Sequence, residues 1–236
     1  MHTIGLIGGI APASTIDYYR QLVAGYSVRR PDGSQPLILI NSIDLRHFLD
    51  LVGGGDRRRL IRYLVEELAR LARAGADFGL FASNTPHLVF EEVQAQSPIP
   101  LVSIVEAAGA AAAARGLTRV GLLGTRFTME GGFYPGVFAR HGVAVTVPRA
   151  DDRAYVHDHY LGELVRGVFP DSTRAGMLGV IERMRSESAI EAVVLGGTEL
   201  PLLFRDGPAP GLPLLDTTQL HVDAVLDRLF STAVRR

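Results

Sequence analysis

At 236 residues, 47% of them hydrophobic, the chain can form one large domain or two small ones around a sizeable core. A formal net charge of −1 gives no reason to expect nucleic acid or an anionic membrane as partner. Cysteine is absent, which excludes disulfides, thiolate metal sites and thiol nucleophiles; lysine is absent too, all 24 basic residues being arginine, which excludes Schiff-base chemistry with pyridoxal phosphate or a carbonyl substrate.

The chain opens on MHTIGLIGG, which lacks the basic region, long apolar region and cleavage site of a signal peptide. Uncharged apolar runs stay below the ~18 residues of a membrane span. A cytoplasmic location is therefore expected. The basic clusters Arg57-Arg58-Arg59 and Arg235-Arg236 are short and read as a solvated helix start and a solvated tail.

Strand-like runs occur at 3–8, 36–41, 77–82, 100–104, 119–124, 142–147, 191–195 and 213–215. They are short, uninterrupted and apolar, bounded by Gly, Pro or charge, as in strands covered on both faces. Helix-like stretches lie between them. Residues 15–29 begin with Ser14 or Thr15 as N-cap, and residues 56–74 begin at Asp56 and place Leu60, Leu64, Leu68 and Leu71 on one face. Residues 85–95, 104–115, 129–140, 158–168, 171–187 and 217–234 read similarly. Gly53-Gly54-Gly55 marks a loop. This alternation predicts an α/β fold with mostly parallel sheets flanked by helices.

The pattern repeats. GLIGG (5–9) matches GLLGT (121–125). ASNTPH (82–87) matches GGTELP (196–201), aligning Ser83 with Gly197. PLVSIVEA (100–107) matches PLLDTTQL (213–220). Nearly constant offsets imply two pseudo-symmetric domains, the first from 1–104 plus 215–236 and the second from 105–214. Ligands of parallel sheets sit beyond the carboxyl ends of the strands. A ligand cleft between the domains, walled by Ser83-Asn84-Thr85 and Gly197-Thr198-Glu199, is the expectation.

IGLIGGIAPASTIDYY (4–19), ASNTPH, YVHDHYLGELVRG (155–167) and GGTELP together resemble the aspartate/glutamate racemase family over almost the full length. The resemblance implies α-proton chemistry on an amino acid without a cofactor. It also implies a cysteine at each position held here by Ser83 and Gly197, one removing the proton and the other returning it. This chain has neither, so two-thiol racemisation is excluded. The resemblance further implies that Thr15, Asn84, Thr85 and Thr198 hold the α-carboxylate and amine, and that Arg46 and Arg166 lie near the positions that grip a distal carboxylate.

The residues themselves suit that reading. Hydroxyls, an amide and helix-start N–H groups favour a carboxylate, and Arg pairs bidentately with one. Glu199, desolvated at a strand end, is a candidate base; it can equally hold its loop by hydrogen bonds. Ser83 needs a base to activate it, and His87, on the next helical turn, is the candidate; capping or packing is the alternative for His87. Asp17 and Asp44 could supply a carboxylate or serve as caps and ion-pair partners. Gly197 leaves room for a larger substituent than a β-carboxylate. His157 and His159 do not share a helical face, so no metal site is expected.

Three functions follow. The first is a cofactor-independent enzyme acting beside the carboxylate of a small amino acid or dicarboxylic acid, by elimination, decarboxylation, tautomerisation or cyclisation. The second is an amino-acid racemase with non-cysteine bases. The third is a catalytically inactive amino-acid-binding protein. A homodimer, through helices 15–29 or 56–74, is the expected assembly.

Overall fold

A computed structural model describes residues 2–205 and 211–231; Arg235-Arg236 lies outside the described residues. The chain divides into two compact units, one made of residues up to Ser103 and from His221 onward, the other of Ile104–Leu220. Each unit is built on a four-stranded, all-parallel sheet.

In the first unit β1 (Thr3–Gly8), β2 (Leu37–Ser42), β3 (Phe78–Phe81) and β4 (Leu101–Val102) lie in the order β2-β1-β3-β4. β1 and β3 are central and almost wholly buried, whereas β2 is an edge strand that leaves Leu37 and Ile40 exposed. The linking helices are α1 (Pro12–Arg29), α2 (Leu45–Gly53), α3 (Arg57–Arg73) and α4 (Phe90–Gln96), the last preceded by a 3-10 turn over Thr85–Val89. α3 lays Leu60, Leu64, Leu68 and Leu71 into one core with Ile7, Phe48, Phe81 and Val93. On the other face, Tyr18, Leu22 and Tyr26 of α1 pack with Ile4, Leu6 and Leu80.

In the second unit β5 (Arg119–Gly124), β6 (Ala144–Thr146), β7 (Ala192–Gly196) and β8 (Leu214–Asp216) take the same order, β6-β5-β7-β8. Its helices are α5 (Ile104–Ala114), α6 (Arg126–Glu130), α7 (Phe133–Arg140), α8 (Ala150–Gly162), α9 (Asp171–Ser188) and α10 (Leu200–Phe204). α11 (Thr217–Ser231) starts in this unit, and from His221 it joins the first, where Val222, Val225, Leu226 and Leu229 enter the α1 core.

The repeat persists at the level of contacts. A Cβ on Gly5 would stand 2.9 Å from Ala76 Cβ, and one on Gly121 would stand 2.8 Å from Ile190 Cδ1. Both glycines let the residue before the next central strand close over the sheet.

Several helix boundaries differ from the sequence expectation. α1 begins at Pro12 with Ala11 as N-cap, because proline's fixed φ suits a first turn. The stretch 129–140 is two helices, interrupted by Gly132 in the left-handed region at φ 74°. The stretch expected from 158 starts at Ala150, where Asp151 and Asp152 favour the helix N-terminus. α2 and α10 were not expected. The three glycines 53–55 end α2 and make the turn into α3, with Gly55 at φ 70°.

Candidate functional site

The carboxyl edge of the first sheet is made by tight turns. Gly9 has a φ of 82°, and a Cβ there would lie 2.3 Å from Ile43 O, so the backbone crosses close to the end of β2. Thr15 pins this turn: its Oγ1 accepts from Gly9 N at 2.9 Å and donates to Ala11 O at 3.3 Å. Thr15 is thus a turn-holding residue in the first turn of α1 rather than its cap. Asp44 caps α2 by accepting from Arg46 N at 2.8 Å, and the Arg46 side chain is exposed. Asp17 is buried and accepts from Arg20 at 2.5 Å and Gln21 at 2.6 Å.

β3 runs beside β1, with Ile7 opposite Phe81, so Ser83 emerges next to the Gly8-Gly9 turn. Ser83, Asn84, Thr85 and His87 are all buried. His87 Nδ1 lies 3.2 Å from Asn84 O, and its ring stacks on Phe90 at 4.7 Å. Burial, with the nearby His221 adding to it, lowers the His87 pKa to about 3. The ring is neutral near pH 7 and its Nδ1–H donates to the Asn84 carbonyl. His87 therefore orders the Ser83-Asn84 turn, in line with the capping and packing alternative.

In the second unit Thr125, equivalent to Gly9, is the N-cap of α6 and accepts from Thr128 N at 3.4 Å. Gly196 and Gly124 are opposite one another, and a Cβ on Gly124 would lie 2.6 Å from Gly196 O, so only glycine lets these strand ends touch. The turn 197–199 then leads into α10. Thr198 and Glu199 are buried, and Thr198 Oγ1 donates to Glu199 Oε2 at 3.1 Å. Tyr160 Oη, from α8, donates to the same carboxylate oxygen. Burial first, and then the neighbouring Glu199 charge, push the Tyr160 phenol well above its usual pKa of 10.

The space expected beside Gly197 is filled. A Cβ on Gly197 would stand 2.3 Å from Tyr160 Cε2 and 2.6 Å from Tyr160 Oη. The Tyr160 ring occupies the volume that a side chain at 197 would take, which corrects the expectation of a vacancy for a large substituent. Tyr160 was not among the sequence candidates. Its signals were a glycine at a strand end where a side chain was anticipated and the segment YVHDHYLGELVRG (155–167) that contains it.

His157 and His159 share α8 with Tyr160, and Arg166 follows it. Arg166 is exposed in the 3-10 turn Leu164–Arg166, its amide donating to Glu163 O at 2.9 Å. His157 Nδ1 accepts from Arg126 N at 3.1 Å and has a lowered pKa, chiefly through burial. His159 Nδ1 faces Tyr155 O at 2.9 Å.

Two parallel sheets of identical strand order, with a buried polar turn after β3 in one and after β7 in the other, define a duplicated α/β protein. The chain belongs to the Asp/Glu/hydantoin racemase family, whose model matches residues 7–225. It is similar in structure to a Yersinia pestis protein assigned to the Asp/Glu racemases, with 31% identity, a TM-score of 0.86 and coverage of 98% of this chain and 100% of that one. An aspartate racemase homologue from Pyrococcus horikoshii is 32% identical, with a TM-score of 0.80 and coverage of 97% and 99%. Glutamate racemase from Thermus thermophilus is 29% identical over 181 residues, 73% of this chain and 63% of that protein. The chain spans less than two thirds of the length of the first curated relatives it matches.

Proposed function

We propose that this protein moves the α-proton of a small amino acid or dicarboxylic acid with oxygen groups in place of thiols, as an isomerase of the racemase type independent of pyridoxal phosphate. The observation that carries this reading is the pair of equivalent, buried polar turns, Ser83-Asn84-Thr85 and Gly197-Thr198-Glu199, in a chain that belongs to the Asp/Glu/hydantoin racemase family. Asn84, Thr85 and Thr198, with the backbone N–H groups of their turns, hold the α-carboxylate and amine. Thr15 keeps the Gly8-Gly9 turn in shape beside them. Arg46 and Arg166 hold a distal carboxylate, and Gly197 lines the ligand's reactive end.

Glu199 is the acid/base group. It is 1% exposed, and a desolvated carboxylate that exchanges protons with a neighbour suits removal and return of a proton near neutral pH. Ser83 offers a hydroxyl on the other turn, and His87 positions it. A second reading, one-sided chemistry such as elimination or decarboxylation, draws support from the asymmetry of the turns: one presents a hydroxyl, the other a carboxylate.

Incubation with L- and D-aspartate, glutamate and other small amino acids in deuterium oxide separates the readings. Deuterium incorporation with inversion is the expected result. Release of ammonia, water or carbon dioxide selects the second reading. Saturable binding without exchange points to a protein that binds amino acids without turning them over, and neither binding nor exchange overturns the proposal.

A further inference from the structure

The two strand ends occupy equivalent places in their sheets, but they differ in what stands at the first position of the turn. Ser83 carries a hydroxyl at the end of β3, and Gly197, its equivalent at the end of β7, carries no side chain. The structure does not leave that place empty. An imagined Cβ on Gly197 falls 2.6 Å from Tyr160 Oη and 2.7 Å from Tyr160 Cζ. A hydroxyl therefore stands at the second strand end as well, delivered by α8 from 37 residues away in sequence rather than by the strand itself.

Tyr160 Oη is not an inert filler. It donates to Glu199 Oε2, and Thr198 Oγ1 donates to the same oxygen at 3.1 Å. Tyr160 is 5% exposed and Glu199 1% exposed, so the pair works away from bulk water. A phenol that only filled space would be served by phenylalanine. Burying its hydroxyl against a carboxylate costs desolvation that function can justify.

We propose that Tyr160 is the proton-transfer group of the second strand end, standing where a residue-197 side chain would stand, with Glu199 as the carboxylate that loads and unloads it. The proposal rests on the reading of the protein as an enzyme of α-proton chemistry. In the forward step the Cα–H bond breaks, and its proton goes to Tyr160 Oη. The phenolic proton already on Oη passes to the Glu199 carboxylate, and the electron pair stays on Cα, delocalised into the substrate carboxylate. Tyr160 is a neutral phenol before and after, and the negative charge moves from Glu199 to the substrate. The reverse step returns a proton from Glu199 through Oη to Cα. The raised pKa of the phenol agrees with this, since a tyrosinate is never required.

Tyr160→Phe tests the assignment. The variant keeps the ring and loses only the hydroxyl. Binding of the amino acid should stay within about threefold of the parent, while α-deuterium exchange falls by about 100-fold or more, the usual share of a positioned acid/base group. The pH profile of the residual exchange should also lose the limb belonging to the Tyr160–Glu199 pair. Exchange within threefold of the parent overturns the proposal. A parent that binds amino acids without exchanging their α-protons overturns it too, while sparing ligand binding. A parent that neither binds nor exchanges them instead brings down the underlying functional reading, and the inference with it.

Should Tyr160→Phe not fold, the double variant Tyr160→Ala/Gly197→Cys carries the test. Removal of the ring frees the space that a side chain at 197 needs, and the new thiol is the only sulfhydryl in the chain. Exchange should rise at least tenfold over Tyr160→Ala alone and follow the titration of the thiol, read independently from its alkylation rate. No rise over Tyr160→Ala overturns the proposal.

Discussion

At the residue scale the decisive relation is between Gly197 and Tyr160. Because an added methyl at 197 would sit 2.3 Å from Tyr160 Cε2, in a fully buried setting, Gly197→Ala should destabilise the protein by about 1–3 kcal/mol. The same change in a Tyr160→Ala background should cost clearly less. A double-mutant cycle on urea midpoints measures the difference, and additivity within ~0.5 kcal/mol would mean the two residues do not compete for space. Thr15→Val makes a second, independent prediction. It keeps the side-chain volume against Gly8 but removes the acceptor for the buried Gly9 N–H. The expected loss is about 1–3 kcal/mol, read from thermal or urea unfolding. Thr15, Gly8 and Gly9 were legible in the sequence because they fall within one short motif. Tyr160 was not, because nothing in a run such as HDHYLG says that its ring will meet a glycine 37 residues on. Glu199 was legible as a strand-end carboxylate. Its hydrogen-bond partner Tyr160 was not, for the same reason. Glu199→Gln should cut turnover by about 10²–10⁴-fold with the fold retained, and unchanged turnover would remove the carboxylate from the chemistry.

At the element scale the eight strands could be read directly. A strand covered on both faces has to be an unbroken apolar run, and β1, β3, β5 and β7 are such runs. Helix ends were harder to read. α1 starts three residues earlier than expected because its N-cap, Ala11, makes no side-chain hydrogen bond and so leaves no polar signature. α10 has five residues, too few for a periodic pattern. The break between α6 and α7 shows a local rule overriding periodicity. The apolar pattern of 129–140 continues through it, but Gly132 takes a φ of 74° and separates the two helices. A Cβ at Gly132 would meet nothing within 4 Å, so Gly132→Ala tests the backbone alone. It should cost about 1–2 kcal/mol, the penalty of a left-handed L-residue, seen as a lower thermal midpoint. An unchanged midpoint would show that the chain can run through this point with φ below zero.

At the scale of the whole molecule, two buried histidines tie the stability of the first unit to pH. His221 is fully buried on α11. Its Nε2 lies 2.9 Å from Val102 O, a pure acceptor, so Nε2 carries the hydrogen, and Nδ1, 2.8 Å from Tyr18 Oη, accepts from that hydroxyl. Both bonds are satisfied by the neutral ring. Burial lowers the His221 pKa to about 4 and, with the proximity of His221, the His87 pKa to about 3. In the unfolded chain both titrate near 6.5. Below that value the unfolded state takes up protons that the folded state refuses. The stability these groups contribute is therefore complete above about pH 6.5 and is lost as pH falls toward 4 and then 3, by up to about 1.4 kcal/mol per pH unit for each histidine. Unfolding midpoints measured between pH 7 and pH 4.5, above the range where most carboxylates titrate, should fall steadily. The fall should shrink by about half in His221→Gln, which keeps polar atoms for Val102 and Tyr18 but does not titrate. Amide exchange adds a spatial check: acidification should weaken protection in the core around Tyr18, Leu80 and Val222 before the core around Leu122, Phe138 and Val194, which holds neither histidine. A midpoint that does not move between pH 7 and pH 4.5 would mean that these rings already accept protons in the folded protein.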